Sequence, residues 1–147
     1  MVRDWEKRQR LKKFIFTERN RFNKNQTEPI CVSLTMKEIE MILNCLDFFF
    51  ENPIVWEVFA SLSKTLLKKK KNKYGVAAVW ERMRWEIDIV LQREDLAHKL
   101  NNNYKAFYSR LFNMANGVDF FTKRESVFDH VHYLYLASPS NPIMKET

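Results

Sequence analysis

Glycine is almost absent from this chain: only Gly75 and Gly117 occur among 147 residues. Glycine supplies the positive φ angles of tight turns and lets the backbone approach a phosphate closely. A β-sandwich or β-barrel needs many tight turns, and P-loop and dinucleotide-binding enzymes need several glycines against phosphate. Since 46% of the residues are hydrophobic, the chain still has ample material for a core. We therefore expect a mainly α-helical protein, a small helical bundle with a short strand or two near the termini.

Apolar residues recur at three- and four-residue spacing in four stretches, which is the pattern of amphipathic helices. This spacing predicts helices over residues 36–51, 53–67, 76–92 and 102–116. The first begins with a capping box, in which Thr35 accepts a helix amide and Glu38 reaches back to the cap. Asn52 and Pro53 suit the N-cap and first turn of the second helix. Gly117 suits the end of the fourth.

The third stretch has the clearest helical stripe of the sequence. Its inward face is predicted to carry Val76, Val79, Trp80, Met83, Ile87, Val90 and Leu91. On the other face, Arg84 lies three residues after Glu81 and four before Asp88, which is the spacing of helical ion pairs. We therefore expect Arg84 to pair with Glu81 or Asp88 and interpret residues 81–85 as structural rather than as ligand contacts.

The composition of the chain predicts three parts. Residues 1–30 form a basic N-terminal arm, with one short helix or strand around Phe14 to Phe16. Residues 31–124 form the helical core domain, and residues 125–147 form a C-terminal extension. Within the extension, residues 131–136 are rich in strand formers and favour one strand or a short helix.

Positive charge is concentrated in three stretches of a chain whose net charge is +7. Residues 1–24 hold nine Lys or Arg against three acids, residues 64–73 hold six lysines and no acid, and residues 98–124 hold five bases and one acid. Such segregation is typical of a surface that binds a polyanion. The alternative is that each stretch is a solvated tail or loop. We expect the three stretches to converge on one electropositive surface.

Helices 76–92 and 102–116 are candidates for a helix-turn-helix or winged-helix-like pair, with the start of the second helix in the major groove. Lysines would contact phosphate and asparagines would contact base edges. The candidate nucleic-acid-binding residues are Lys64, Lys68, Lys69, Lys70, Lys71, Lys73, Lys99, Asn101, Asn102, Asn103, Lys105 and Arg110. Two alternatives stay open: the asparagines cap a helix and shape a turn, and the lysines form a hydrophilic helix end. The connection of about nine residues is also long for a simple helix-turn-helix.

Catalytic and metal-binding patterns are weak in this sequence. His130 and His132 have a spacing compatible with one metal ion, but no third ligand is evident. Cys31 and Cys45 form no zinc-type pair, and Cys45 fits a helix as a small hydrophobe. No Ser-His-Asp set, Cys-His set or pair of carboxylates stands out. We predict no enzyme, no metal site and no cofactor, with metal-dependent activity at His130 and His132 as the one exception kept open.

Six short motifs occur in a fixed order. They are Asn52–Phe59, Lys73–Val76, Trp80–Trp85, Leu100–Tyr104, Tyr108–Phe112 and Phe120–Arg124. Together they resemble a group of small phage and prophage proteins with an Asn-Pro helix start, a Glu-Arg-x-Arg-Trp helix, an Asn-Asn-Asn-Tyr turn, a Tyr-x-Arg-Leu-Phe helix and a closing Phe-Phe-x-x-Arg. The resemblance covers about residues 48–124. It implies a phage or mobile-element origin and no particular activity.

These observations favour a non-catalytic phage protein that binds nucleic acid in an accessory or regulatory role, with DNA as the expected partner and RNA as an alternative. The charged start of the chain is unlike a secretory signal, and no apolar run is long enough to cross a bilayer. We therefore expect no membrane association and a location in the cytoplasm of the bacterial host. The second hypothesis is an anti-defence inhibitor, such as an anti-CRISPR, that binds a host nuclease complex by protein–protein contact. Its anchors would be exposed aromatic residues, with Trp5, Trp56, Tyr104 and Tyr108 as candidates.

Overall fold

The structure is a computed structural model that describes residues 4–16, 18–21, 30–69, 73–122 and 124–137. Within these ranges the protein is mainly α-helical. The helices are α1 (Trp5–Lys12), α2 (Met36–Glu51), α3 (Pro53–Lys69), α4 (Val76–Trp85), α5 (Glu94–Ala97), α6 (Lys105–Asn116) and α7 (Tyr133–Leu136). The long helices α2, α3, α4 and α6 correspond to the four that the hydrophobic spacing predicts.

Shorter elements connect these helices. A π-helical turn, Glu86–Val90, continues α4, and 3₁₀ turns occupy Asn102–Tyr104 and Val127–His130. Two four-residue strands, β1 (Glu18–Arg21) and β2 (Ile30–Ser33), pair antiparallel between α1 and α2. Residues 131–136, for which a strand and a short helix were alternatives, form an isolated bridge from Val131 to Ile15 and then α7.

Local signals at the helix ends are confirmed at two positions. The Thr35 hydroxyl accepts a hydrogen bond from the Glu38 amide at 3.2 Å, and the Glu38 carboxylate accepts one from the Thr35 amide at 3.0 Å. The hydrogen bond from the Thr35 backbone amide, and after it the interaction with the Thr35 side chain, lowers the pKa of the Glu38 carboxyl. Gly117 ends α6 with φ 62°, a left-handed conformation that glycine adopts without a steric penalty.

The junction of α2 and α3 lies at Asn52 and Pro53, as predicted: α3 begins at Pro53, and the Asn52 side chain donates to the Phe48 carbonyl at 3.0 Å, which closes α2. One predicted detail is wrong. The single helix predicted over 76–92 is α-helical only to Trp85 and then becomes π-helical, because the Leu91 amide bonds to the Glu86 carbonyl five residues back.

Helix α6 lies at the centre of the core. Every residue from 107 to 113 is buried, and the helix packs against α3, α4 and α7. Aromatic rings fill the space around it: Tyr108 lies 5.2 Å from Trp80 and 5.6 Å from Phe59 between ring centroids. Burial raises the pKa of the Tyr108 hydroxyl well above its ordinary value. A helix enclosed in this way positions other elements and has little surface of its own.

The packing does not follow the predicted division into arm, core and extension. Phe14 and Ile15 from the N-terminal part are buried in the same hydrophobic cluster as Val131 and Leu136 from the C-terminal part. The backbone joins the two parts as well, because the His132 amide donates to the Phe14 carbonyl at 2.7 Å. Among the described residues, the ends of the chain therefore complete one core. Residues 1–3, 17 and 22–29 of the first part and residues 138–147 of the last part lie outside the described ranges.

Candidate nucleic-acid interface

The N-terminal end of α4 is joined to the segment that follows α6. The Tyr74 amide donates to the Phe120 carbonyl at 2.8 Å, and the Thr122 amide donates to the Tyr74 carbonyl at 3.1 Å. The Tyr74 and Phe120 rings stack, with centroids 6.0 Å apart. The lysine-rich end of α3 leads directly into this connection. Two basic stretches that are far apart in sequence, 64–73 and 98–124, therefore meet here.

A cavity of about 490 Å³ lies at this junction, between the start of α4, the first turns of α6 and the 122–126 segment. Its lining comprises Gly75, Val76, Ala77, Lys105, Ala106, Ser109, Arg110, Thr122, Arg124, Glu125 and Ser126. Lys105 and Arg124 bring positive charge from two elements, and Glu125 brings one carboxylate. Gly75 caps α4 without a side-chain hydrogen bond, so the partial positive charge of the helix start adds to the two cations.

We group five basic residues as the basic cluster: Lys68, Lys69 and Lys73, which precede the cavity-lining Gly75 in the sequence, and Lys105 and Arg124, which line the cavity. The first two are exposed in the last turn of α3. Lys73 pairs with Asp119 at 3.1 Å, with both side chains more than half exposed. Such a pair contributes little energy and exchanges readily for a phosphate.

The basic cluster contains four of the predicted contacts and one residue that the sequence analysis did not select. That residue is Arg124. It contributes to the positive charge of residues 98–124, but it lies in no predicted helix, so the sequence pattern gives no reason to select it. Of the remaining predicted lysines, Lys64 is half-buried on α3 and already interacts with another group. Lys99 is exposed in the turn after α5 and does not line the cavity. Lys70 and Lys71 lie outside the described residues.

Arg110 is not an accessible nucleic-acid contact. It is buried, with 6% of its surface exposed. Its Nε donates to Asp129 Oδ1 at 2.8 Å, its Nη1 to the Ala106 carbonyl at 3.0 Å, and its Nη2 to the Arg124 carbonyl. The guanidinium thus holds the 124–129 segment against α6. The prediction for Arg110 is wrong because its charge is already used within the fold, where it positions the backbone that bears Arg124.

The three consecutive asparagines have structural partners at two positions. Asn101 Oδ1 accepts from the Asn103 amide at 2.9 Å, which caps the 3₁₀ turn. Asn102 Oδ1 accepts from Arg84 Nη2 at 2.7 Å. Capping therefore accounts for Asn101, and a link to α4 accounts for Asn102. Asn103 keeps an exposed side chain, and none of the three lines the cavity.

A helix-turn-helix is not found in this part of the chain. A π-helical turn, α5 and a 3₁₀ turn separate α4 from α6. A recognition helix must leave one face open for the groove, whereas α6 is buried over residues 107–113. The arrangement offers phosphate contacts around a helix start and no exposed reading helix.

Two cations of the arm are already engaged by carboxylates of α2. Lys7 lies between Asp47 and Glu51, and these hydrogen bonds, with Asp47 contributing most, raise the pKa of Lys7. Arg8 pairs with Glu40. These contacts hold α1 on α2. The prediction that all three basic stretches form one surface therefore does not hold for Lys7 and Arg8.

Arg82 and Arg84 behave as the sequence interpretation expects. Arg82 Nη2 lies 2.9 Å from Glu86 Oε1, and Arg84 Nη1 lies 2.6 Å from Glu81 Oε1. Arg84 also reaches the carbonyl of Leu100 at 3.2 Å. Both arginines are thus used to join neighbouring turns of the fold.

The two histidines of the C-terminal part have separate environments. His130 is buried, and its Nδ1 lies 2.8 Å from the Phe16 carbonyl oxygen. The His132 ring packs against the Phe16 ring, and burial lowers the pKa of His132 below its ordinary value. Among the described residues, no group of three or more His, Cys, Asp and Glu side chains is arranged to hold a metal ion.

The predicted aromatic anchors are wrong for two of four residues. Trp56 and Tyr108 are core residues, with 1% and 0% of their surfaces exposed. Tyr104 is half-buried, and burial raises its pKa to about 12. Trp5 is exposed. The larger exposed apolar group lies elsewhere, at the C-terminal end of α4, and its members are Trp85, Ile89, Val90 and Leu91, which we call the apolar patch.

Comparisons with protein-family models, with curated proteins and with solved structures find no match for this chain. The function must therefore be argued from the chemistry of its surfaces. Among the described residues, no helix has the length and apolar character needed to cross a bilayer.

Proposed function

We propose that this protein is a non-catalytic nucleic-acid-binding protein of a phage or mobile element, acting in the bacterial cytoplasm. Its basic cluster holds the phosphate backbone of duplex DNA in an accessory or regulatory role. The observation that carries the proposal is that Tyr74, directly after the lysine-rich stretch 64–73, is hydrogen-bonded to Phe120 and Thr122 beside the cavity that Lys105 and Arg124 line. The phage origin rests on the ordered motifs of residues 48–124.

The chemistry of the basic cluster suits phosphate rather than base edges. Lysine ammonium groups act as mobile point charges, while the guanidinium of Arg124 matches a phosphate with two parallel hydrogen bonds. Phosphate contacts fix the position of a protein on the duplex and carry no sequence information. We therefore expect binding that depends strongly on salt and weakly on sequence.

The test is the salt dependence of binding to a fluorescein-labelled DNA duplex of about 20 base pairs. Fluorescence anisotropy between about 50 and 200 mM salt gives the slope of log K against log salt. The triple variant Lys68→Ala, Lys69→Ala and Lys105→Ala removes three of the proposed phosphate contacts. Each lost contact should reduce the magnitude of this negative slope by about 0.9. A variant that combines Arg10→Ala, Lys12→Ala and Lys37→Ala removes the same net charge from exposed positions on α1 and α2.

The two triple variants separate a local site from a general charge effect. The proposal requires the slope to fall in the first variant and to stay near the wild-type value in the second. Equal losses in both variants would mean that only net charge matters. No binding of the wild-type protein at the lowest salt would reject the proposed function. An RNA duplex of the same sequence distinguishes DNA from RNA as the preferred partner.

A second candidate function is the anti-defence inhibitor that binds a host nuclease complex. The observation that favours it is the apolar patch, because exposed Trp and Ile side chains are typical anchors of protein interfaces. Affinity capture of host proteins before and after nuclease digestion separates the two functions. A partner that survives digestion and is lost in Ile89→Asp supports the inhibitor, whereas loss of all partners on digestion supports nucleic acid.

A further inference from the structure

The apolar patch is a group of exposed side chains that lie close together in sequence, where α4 continues into the π-helical turn. Trp85, Ile89, Val90 and Leu91 are 48%, 54%, 57% and 41% exposed. All four lie within seven consecutive residues. Single exposed apolar residues are ordinary on a protein surface, but contiguous ones mark sites of interaction.

The π-helical turn is what brings two of these residues to the surface. In a regular helix, Val90 and Leu91 would continue the inward stripe of Ile87. The Leu91 amide instead bonds to the carbonyl five residues back, and the wider turn moves both side chains outward while Ile87 stays fully buried. Gln92 then ends the segment at φ 54°, a left-handed conformation that is costly for a residue with a side chain. Such strained positions occur preferentially at functional sites.

One face of the patch is already organised. The Arg82 guanidinium lies 4.8 Å from the centre of the Trp85 ring and also donates to Glu86. This contact holds the indole in place at one side and leaves the other side for a partner. A side chain fixed before binding loses less entropy in a complex.

The charge around the patch is opposite to that of the protein as a whole. Residues 86–95 contain four carboxylates and one arginine, in a chain of net charge +7. Within this set Glu86 is paired with Arg82, and Asp95 is paired with Arg93. Asp88 makes no ion pair with a described residue, and Glu94 lies 3.4 Å from His98, which counts as neutral in the formal charge. The carbonyl end of the helix adds further negative potential.

We infer that the apolar patch binds a separate protein through a basic amphipathic helix. The apolar face of that helix would cover Ile89 and Val90, and its lysines or arginines would face Asp88 and Glu94. Helix-on-patch recognition of this kind uses apolar anchors at i, i+3, i+4 and i+7. Charge complementarity selects a basic partner, because an acidic one would meet uncompensated carboxylates at the rim. The inference does not depend on nucleic-acid binding, since the basic cluster lies at the opposite end of α4.

A designed peptide tests this inference on the full-length protein. The probe is an amphipathic peptide of about 18 residues, with leucine at i, i+3, i+4 and i+7 and lysine elsewhere. Its matched control has glutamate in place of every lysine. Backbone amide shifts of the ¹⁵N-labelled protein report the site, and the titration gives the dissociation constant. We expect the lysine peptide to move the amides of residues 85–91 and the glutamate peptide to leave them unchanged.

Two variants keep the test specific. Ile89→Asp should weaken the lysine peptide at least about tenfold, as expected for an interface anchor. Leu134→Asp makes the same chemical change at an exposed leucine on α7 and should leave the affinity unchanged. Circular dichroism melting of both variants verifies that the fold is retained. If Ile89→Asp fails to fold, Val90→Ser provides the same comparison with a smaller change.

Three results would overturn the inference. The glutamate peptide could bind the patch as well as the lysine peptide, which would remove the charge argument. The lysine peptide could move amides elsewhere and leave residues 85–91 unchanged. Sedimentation could also show that the protein associates with itself through the patch and that Ile89→Asp abolishes this association. In that last case the occupant would be a second copy.

Discussion

The two ends of α4 are chemically opposite. The start of the helix borders a cavity that Lys105 and Arg124 line, and Lys68, Lys69 and Lys73 of the basic cluster precede it in the sequence. At the other end lie four exposed apolar side chains, and residues 86–95 around them contain four carboxylates. From residue 76 to residue 90 the helical rise corresponds to roughly 20 Å. This distance exceeds the Debye length of about 8 Å at physiological salt, so each end presents its own field to a ligand.

The comparison teaches that the net charge of the chain describes only one end of α4. A value of +7 favours a polyanion, and the start of α4 agrees with it. The C-terminal end of the same helix favours a basic partner instead. The two proposals are compatible with each other, because neither ligand would need the other's surface.

The largest expected effect follows from Arg110→Ala. This change removes one partner of a largely buried ion pair and frees the carbonyls of Ala106 and Arg124. We expect the free energy of unfolding to fall by about 2–3 kcal/mol, less than for a fully enclosed pair because the Asp129 side chain is 30% exposed. Urea denaturation measures it. Lys37→Ala, an exposed change, should stay within about 0.5 kcal/mol, and an equally small effect of Arg110→Ala would refute its positioning role.

A charge-swapped variant is expected to have the next largest effect. Lys105→Glu and Arg124→Glu, combined with Asp88→Lys and Glu94→Lys, leave the net charge of the chain at +7. If local charge decides, affinity for the DNA duplex should fall about tenfold or more despite the unchanged total. Anisotropy at fixed salt measures this affinity. Wild-type affinity in the swapped protein would show that the two ends do not act separately.

A smaller effect is expected from Gly75→Asp at the start of α4. No atom lies within 4 Å of a Cβ added at Gly75, and the φ of −81° is open to any residue. The aspartate should cap the helix and change the unfolding free energy by only a few tenths of a kcal/mol. Its negative charge should weaken DNA binding about threefold. Gly75→Asn caps without charge, so comparable weakening in both variants would argue against an electrostatic site.

The smallest expected effect concerns Gln92, which follows the π-helical turn in a left-handed backbone conformation. Gln92→Gly removes the steric cost of φ 54° but increases the freedom of the unfolded chain. We expect a net gain of about 0.5–1 kcal/mol in unfolding free energy, measured by urea denaturation. DNA affinity should not change, because Gln92 lies beyond the end of α4 that is remote from the basic cluster. A loss of stability would mean that the side chain of Gln92 makes a contact of its own.

The parts of the fold that the sequence predicts are those with local causes. The capping box from Thr35 to Glu38 and the left-handed Gly117 depend on neighbouring residues, and both are found as expected. The π-helical turn has no such local signal, because no glycine or proline marks it. Val90 and Leu91 were therefore assigned to the core by a periodicity that the wider turn interrupts.

The spacing of apolar residues predicts only one buried face of a helix, so it does not show where another segment covers the opposite face. Arg110 lies off the apolar stripe of α6 and looks like a surface cation, but the 124–129 segment covers it. Trp56 and Tyr108 look like interface anchors and are instead core residues. For the candidate site, much of the basic cluster comes from the lysine-rich stretch 64–73, which is evident in the sequence. Its junction with Arg124 depends on the pairing of Tyr74 with Phe121, a contact between residues too distant in sequence to be inferred from either one.

Amide shift mapping of the ¹⁵N-labelled protein during titration with the DNA duplex tests the separation of the two ends most directly. We expect the shifts to concentrate around Lys68, Lys69, Lys105 and Arg124 and at the first amides of α4. The amides of residues 85–91 should stay unchanged up to saturation. Shifts at residues 85–91, or shifts spread evenly over the surface, would contradict the separation of the two ends of α4.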